Sequence, residues 1–115
     1  MYAKNDKRRL FWLMKCYLDG LISESTFCDE FYYSYDLEIR RSSNTLCQKE
    51  FSLFEELDAI SSRYSPYQSD HKLDPQAFTT KQQLKDKIYE VFIKLTHQEN
   101  PLQISPQNQK NSPNI

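Results

Sequence analysis

Residues 11–35 read FWLMKCYLDGLISESTFCDEFYYSY, and this stretch decides the fold. Its first half belongs to an apolar stripe at helical spacing, made of Leu10, Leu13, Met14, Tyr17 and Leu21. Gly20 ends this helix, because glycine adopts a positive φ without steric cost. Ser23 is a favourable N-cap for the next helix. The stretch therefore predicts two helices, over residues 6–19 and 23–40, joined by a short turn.

Two further helices are predicted downstream. The third covers about residues 45–64 and ends before a proline. The fourth begins at Thr79 or Thr80, because each is followed three residues later by a glutamine, as in a capping box. Between these helices, residues 65–78 predict a long loop, and loops of that length are often functional.

Composition limits the fold class and the compartment. A length of 115 residues suits one domain, and a single glycine disfavours a β-rich fold with many tight turns. We predict an all-α chain, a single-domain antiparallel four-helix bundle over residues 1–97 with a disordered tail over residues 98–115. The three cysteines follow no disulfide or metal-ligand spacing, and no segment suits a signal peptide or a membrane span. We therefore expect a soluble cytoplasmic protein without a membrane partner, with a monomer favoured.

Charge is distributed unevenly along the chain. Residues 1–18 carry five basic and one acidic side chain, residues 19–74 carry five basic and twelve acidic, and residues 75–115 carry five basic and three acidic. The formal net charge of −1 hides this acidic middle. Such a region is either a solvated surface or a surface that meets a basic partner.

Acidic and aromatic side chains are predicted to combine on the outer faces of this region. On the second helix they recur at i, i+4 and i+7. On the third helix Glu55 and Glu56 face away from the apolar stripe and Asp58 lies at its border, and others lie in the loop. If the second and third helices are neighbours, these residues form one anionic surface with aromatic contacts. The candidate partner-binding residues are Asp29, Tyr33, Asp36, Glu55, Glu56, Asp58, Tyr67, Asp70 and Asp74.

Motifs of catalysis or cofactor binding are missing from the sequence. His71 and His97 have no second histidine or cysteine at a metal-ligand spacing, and there is no phosphate-binding glycine-rich loop. Lysines and arginines cluster near the N-terminus, but no basic stripe continues from them. We therefore predict no enzyme, no cofactor, no metal and no direct nucleic-acid binding.

Three segments together resemble the colicin D immunity protein family. Residues 11–35 match its opening, with an apolar helix, a GLIS turn over residues 20–23 and a helix beginning with Phe27. Residues 51–64, FSLFEELDAISSRY, are similar to its third helix, and residues 79–95, TTKQQLKDKIYEVFIKL, to its last.

The resemblance implies a small helical bundle that binds and blocks a bacterial ribonuclease toxin, typically one that cuts tRNA. The toxin would be a bacteriocin or a contact-dependent growth inhibition effector, and the immunity protein would act in the cytoplasm of the cell that makes the toxin. With the charge pattern, this gives the expected function: the acidic surface covers the basic active-site groove of the toxin nuclease domain, in place of RNA phosphates.

Two other hypotheses stay open. The first is a non-catalytic regulatory or scaffold bundle that binds another protein through Trp12 and the rim of the first helix, where Trp12 lies beside Arg8 and Lys15. The second is an enzyme that uses His71 as a base with Asp70 or Asp74, which requires a substrate pocket around that histidine.

Overall fold

A computed structural model describes residues 2–42 and 45–97, and this part of the chain is mostly helical. Its α-helices are α1 (Arg8–Leu18), α2 (Glu24–Phe31), α3 (Gln48–Ser61), α4 (Gln68–Leu73) and α5 (Lys81–His97). A π-helical segment, Tyr32–Asp36, and a 3-10 turn, Ile39–Arg41, follow α2. The all-α prediction is confirmed, but these residues contain five α-helices rather than four. The predicted tail over residues 98–115 lies outside the described residues.

The turn between α1 and α2 follows the chemistry of its residues. Gly20 has a φ of 78°, its N–H donates to the Tyr17 carbonyl at 3.0 Å, and the N–H of Leu21 donates to the Cys16 carbonyl at 2.9 Å. These two bonds form a Schellman motif, which directs the chain away from α1. Leu21 is consequently 72% exposed, and its predicted place in the buried stripe is wrong.

The N-termini of α2 and α5 are capped as the sequence predicts. The Thr26 N–H donates to Ser23 Oγ at 3.1 Å. At α5, the N–H of Thr80 donates to Gln83 Oε1 at 2.9 Å, and the N–H of Gln83 donates to Thr80 Oγ1 at 3.1 Å. This reciprocal pair is a capping box, so α5 begins from Thr80 rather than from Thr79.

The helix α3 begins later than predicted. Cys47 is its N-cap, and the Cys47 N–H donates to Glu50 Oε1 at 2.9 Å. Both Glu50 oxygens also lie 3.1 Å from Lys7 Nζ. The start of α3 is therefore held by Glu50, which binds both its own N-cap and the segment before α1.

Stacked aromatic rings form the part of the core that positions the candidate site. The ring of Phe31 lies 5.5 Å from Phe27 and 5.2 Å from Tyr35 between centroids, in stacked pairs along α2 and the π segment. Phe54 of α3 contacts both Phe31, at 6.2 Å, and Tyr35, at 5.9 Å. These rings are fully buried, so the π segment and α3 are held side by side.

The predicted long loop is wrong for the residues of α4. Ser65 Oγ accepts from the Tyr67 N–H at 3.1 Å and donates to Asp70 Oδ2 at 2.6 Å, which fixes the first turn of α4. No residue of α4 is buried. The helix therefore has no apolar stripe, and periodicity in the sequence cannot reveal it.

Within the described residues, no helix combines the length and the apolar character needed to cross a membrane.

Candidate functional site: an acidic cluster between the π segment and α3

The second predicted helix does not continue regularly to residue 40. The Leu37 N–H donates to the Tyr32 carbonyl at 3.3 Å, a bond over five residues instead of four. The wider turn rotates Asp36 away from the outer stripe and towards α3. Asp29 and Tyr33 stay exposed, whereas Asp36 is half-buried, so the predicted stripe of these three residues is wrong at its last member.

Glu55 also faces inwards, contrary to the prediction that it points away from the core. Tyr35 Oη donates to Glu55 Oε2 at 2.6 Å. Arg40 binds the same carboxylate, with 2.8 Å between its Nε and Glu55 Oε2. Burial, and then the hydrogen bond to the Glu55 carboxylate, raise the pKa of Tyr35 far above its ordinary value, so the phenol keeps its proton and remains a donor.

Asp58 of α3 meets Asp36 at the same place. Two carboxyl groups can hydrogen-bond only through a proton that one of them holds. Burial, and then the contact with Asp36, raise the pKa of Asp58 from 3.8 to about 7. Asp36 Oδ1 is buried, and no protein donor among the described residues reaches it. The hydrogen bond between the two aspartates therefore depends on the proton that Asp58 holds.

We call Asp36, Glu55 and Asp58, with Tyr35 and Arg40, the acidic cluster. Three carboxyl groups face one guanidinium, so the cluster carries a net charge of about −1 when Asp58 is protonated and about −2 when it is ionised. The Arg40 side chain is 46% exposed and that of Glu55 is 30% exposed, so the cluster is open to solvent on one side. This arrangement can receive a cation from outside, and a cation would favour release of the shared proton.

The other predicted residues of α2, the π segment and α3 lie on the surface. Asp29 is exposed, and Tyr33 is 42% exposed with Lys4 Nζ 5.4 Å from the centre of its ring. Glu56 is exposed and lies 3.2 Å from Lys87 Nζ of α5. A partner can contact these exposed groups directly. Lys4 beside Tyr33 and Lys87 beside Glu56 reduce the negative potential around them.

The predicted residues around α4 form a separate group. Tyr67 is 66% exposed, Asp70 accepts from Ser65 Oγ at 2.6 Å, and Asp74 Oδ1 accepts from the Gln76 N–H at 3.1 Å. No hydrogen bond or ion pair within the described segments joins them to the acidic cluster. The structure thus unites three of the nine predicted residues.

His71 is part of the local structure around α4. Its Nε2 lies 2.8 Å from the Ser65 carbonyl oxygen, and its ring contacts Phe78 edge-on at 6.2 Å. The neighbouring Asp70 is bonded to Ser65 rather than to the imidazole. In residues 2–42 and 45–97, no group of three or more His, Cys, Asp or Glu side chains is arranged to hold a metal ion.

Tyr35 and Arg40 belong to the acidic cluster, although neither is among the partner-binding residues predicted from the sequence. A signal for Tyr35 exists in the sequence, because a tyrosine on a buried stripe usually has a partner for its hydroxyl group. The pairing of Arg40 depends on the 3-10 turn after the π segment, and helical periodicity does not reveal it.

Comparison of the chain with protein-family models, curated proteins and solved structures gives no match.

Proposed function

We propose that this chain is an immunity protein that neutralises a bacterial ribonuclease toxin by covering its basic active-site groove. The observation that carries the proposal is the convergence of Asp36, Glu55 and Asp58 in one solvent-accessible cluster. The sequence resemblance to the colicin D immunity protein family supports the same function.

The acidic cluster would bind a lysine or arginine of the toxin that otherwise contacts an RNA phosphate. An incoming cation favours the ionised form of Asp58, so binding would release the shared proton. Complex formation should then be tighter at about pH 8 than at about pH 6. Asp29 and Glu56 would form the rim of the interface and act mainly on the association rate.

The proposal includes the frame and the setting of the site. α1, α2, α3 and α5 would form an antiparallel four-helix bundle, which holds the acidic cluster rigidly for docking. The protein would act as a cytoplasmic monomer without a cofactor, and its partner would be the cognate toxin nuclease domain rather than nucleic acid.

The test uses the C-terminal domain of the protein encoded immediately upstream, purified and titrated with this chain by calorimetry. Losing a buried contact of the cluster should weaken binding by about 2–5 kcal/mol, as for Asp36→Asn. Reversing Asp29 and Glu56 together to lysine should weaken it less and mainly slow association.

Asp19→Lys is the matched control. Asp19 is exposed at the end of α1, and its carboxylate lies 2.6 Å from Lys15 Nζ rather than in the acidic cluster. Its reversal should leave binding unchanged. Equal affinity of the Asp36→Asn and unmodified proteins, with both folded, would remove the cluster from the interface, and no binding at all would remove the immunity function.

A further inference from the structure

A second surface, distinct from the acidic cluster, is a groove of about 520 Å³ beside α1. Its apolar lining comes from Phe11 and Trp12 of α1 and Phe92 of α5, which are partly buried and packed on the core. Its volume lies within the range of about 300–1,000 Å³ that is usual for binding pockets.

The charged side chains that line this groove are mainly basic. Lys7, Arg8 and Lys15 line it with one carboxylate, Glu50. Lys7 is neutralised by Glu50, since its Nζ lies 3.1 Å from both oxygens. Arg8 and Lys15 are the other two basic groups of the lining, and each has an ion-pair partner outside the lining, Asp6 and Asp19.

These two cations are available to an external ligand. Arg8 is bonded to Asp6 and Lys15 to Asp19, each at 2.6 Å, and the two basic side chains are 69% and 60% exposed. Exposed ion pairs contribute little free energy, so a better-placed carboxylate can replace either internal partner.

The spacing of the basic and aromatic side chains along α1 determines which ligand fits the groove. Arg8, Trp12 and Lys15 stand at i, i+4 and i+7, so they share one face and span about 10 Å along the helix axis. The complement of this cation–aromatic–cation stripe is an acid–apolar–acid stripe with the same spacing. An amphipathic helix presents such a stripe when it lies in a groove.

We infer that this groove docks an acidic amphipathic helix of a partner protein, whose carboxylates meet Arg8 and Lys15 and whose apolar side chain packs on Trp12. This goes beyond the proposed function, because the ligand of this groove is acidic whereas the proposed toxin site is basic. The chain would thus have two docking surfaces that select ligands of opposite charge.

Trp12 is the single tryptophan of the chain, so its fluorescence reports directly on the groove. The probe is a tryptophan-free synthetic helix of about four turns with glutamates at positions i and i+7 and leucines between them. The matched control peptide carries lysines in place of the glutamates. We expect a saturable shift of Trp12 emission with the acidic peptide only.

Variants of the chain test the charge requirement. Arg8→Glu combined with Lys15→Glu should weaken binding of the acidic peptide by about tenfold or more. Lys85→Glu is the control, because Lys85 is exposed on α5 and forms no ion pair within the described residues. Circular dichroism establishes that each variant is folded. If the double variant does not fold, Lys15→Gln and a salt titration replace it. The acidic peptide should bind more weakly to Lys15→Gln, and more weakly to the unmodified protein as the salt concentration rises.

Several results would overturn the inference. Equal binding of the acidic and lysine peptides would reduce the groove to an unspecific apolar contact. A single-stranded RNA that shifts Trp12 emission while the acidic peptide does not would assign the groove to phosphates. A concentration-dependent dimer that excludes the peptide would assign it to a second copy. None of these experiments uses the toxin, so their failure is distinct from failure of the proposed function.

Discussion

Asp58→Asn tests the shared proton of the acidic cluster. The pKa of Asp58 is raised in the folded protein from 3.8 to about 7, by burial and then by the contact with Asp36. Between these two values the folded protein holds a proton that the unfolded chain releases. The stabilisation is thus fully present below the lower value and is lost as the pH rises through about 7.

The size of the effect follows from the two pKa values. A change in pKa from 3.8 to about 7 means that Asp58 contributes at most about 4 kcal/mol to the free energy of unfolding. The cluster is open to solvent on one side, which screens the carboxylates, so we expect about 1–2 kcal/mol. In Asp58→Asn the side-chain amide is a permanent donor to Asp36. When the pH rises from about 5 to about 8, the free energy of unfolding should therefore fall less for the variant than for the unmodified protein.

Urea unfolding at several pH values within this range measures the difference. Asp29→Asn is the control, because it removes an exposed aspartate outside the cluster. Its stability should follow that of the unmodified protein at every pH. Parallel curves for the unmodified protein and Asp58→Asn would refute the reasoning, since they would mean that Asp58 does not titrate in this range.

Two further predictions concern the frame of the site. Phe54→Ala should destabilise the protein by about 3–5 kcal/mol in urea unfolding, because Phe54 is fully buried against Phe31 and Tyr35, whereas the exposed Phe51→Ala should change little. A similar loss for both phenylalanines would contradict this core. Thr80→Ala should lower the unfolding free energy by about 1 kcal/mol through loss of the capping box of α5, and an unchanged midpoint would contradict the role of that cap.

Local chemistry explains which parts of the fold the sequence predicts. Gly20, Ser23 and Thr80 act within a few residues of their own positions, so the helix ends that they define follow directly from residue type. α4 has no apolar stripe, and its first turn depends on Ser65 and Asp70. Periodicity is therefore informative only for helices that bury a face.

The acidic cluster is predicted in part for a similar reason. Its three carboxylates are candidates because they lie in the acidic middle of the chain and outside the apolar stripes. Their convergence depends on the π segment, whose extra residue turns Asp36 towards α3, and on Tyr35 and Arg40, which bring Glu55 inwards. These are tertiary contacts, and the spacing of residues along one helix does not encode them.

The most direct measurement of the central claim is cleavage of tRNA by the C-terminal domain of the upstream-encoded protein, with and without this chain. We predict that an equimolar amount of the unmodified protein stops cleavage, that Asp36→Asn restores part of it, and that Asp19→Lys inhibits fully. Cleavage at an unchanged rate with an excess of the folded, unmodified protein would contradict the account.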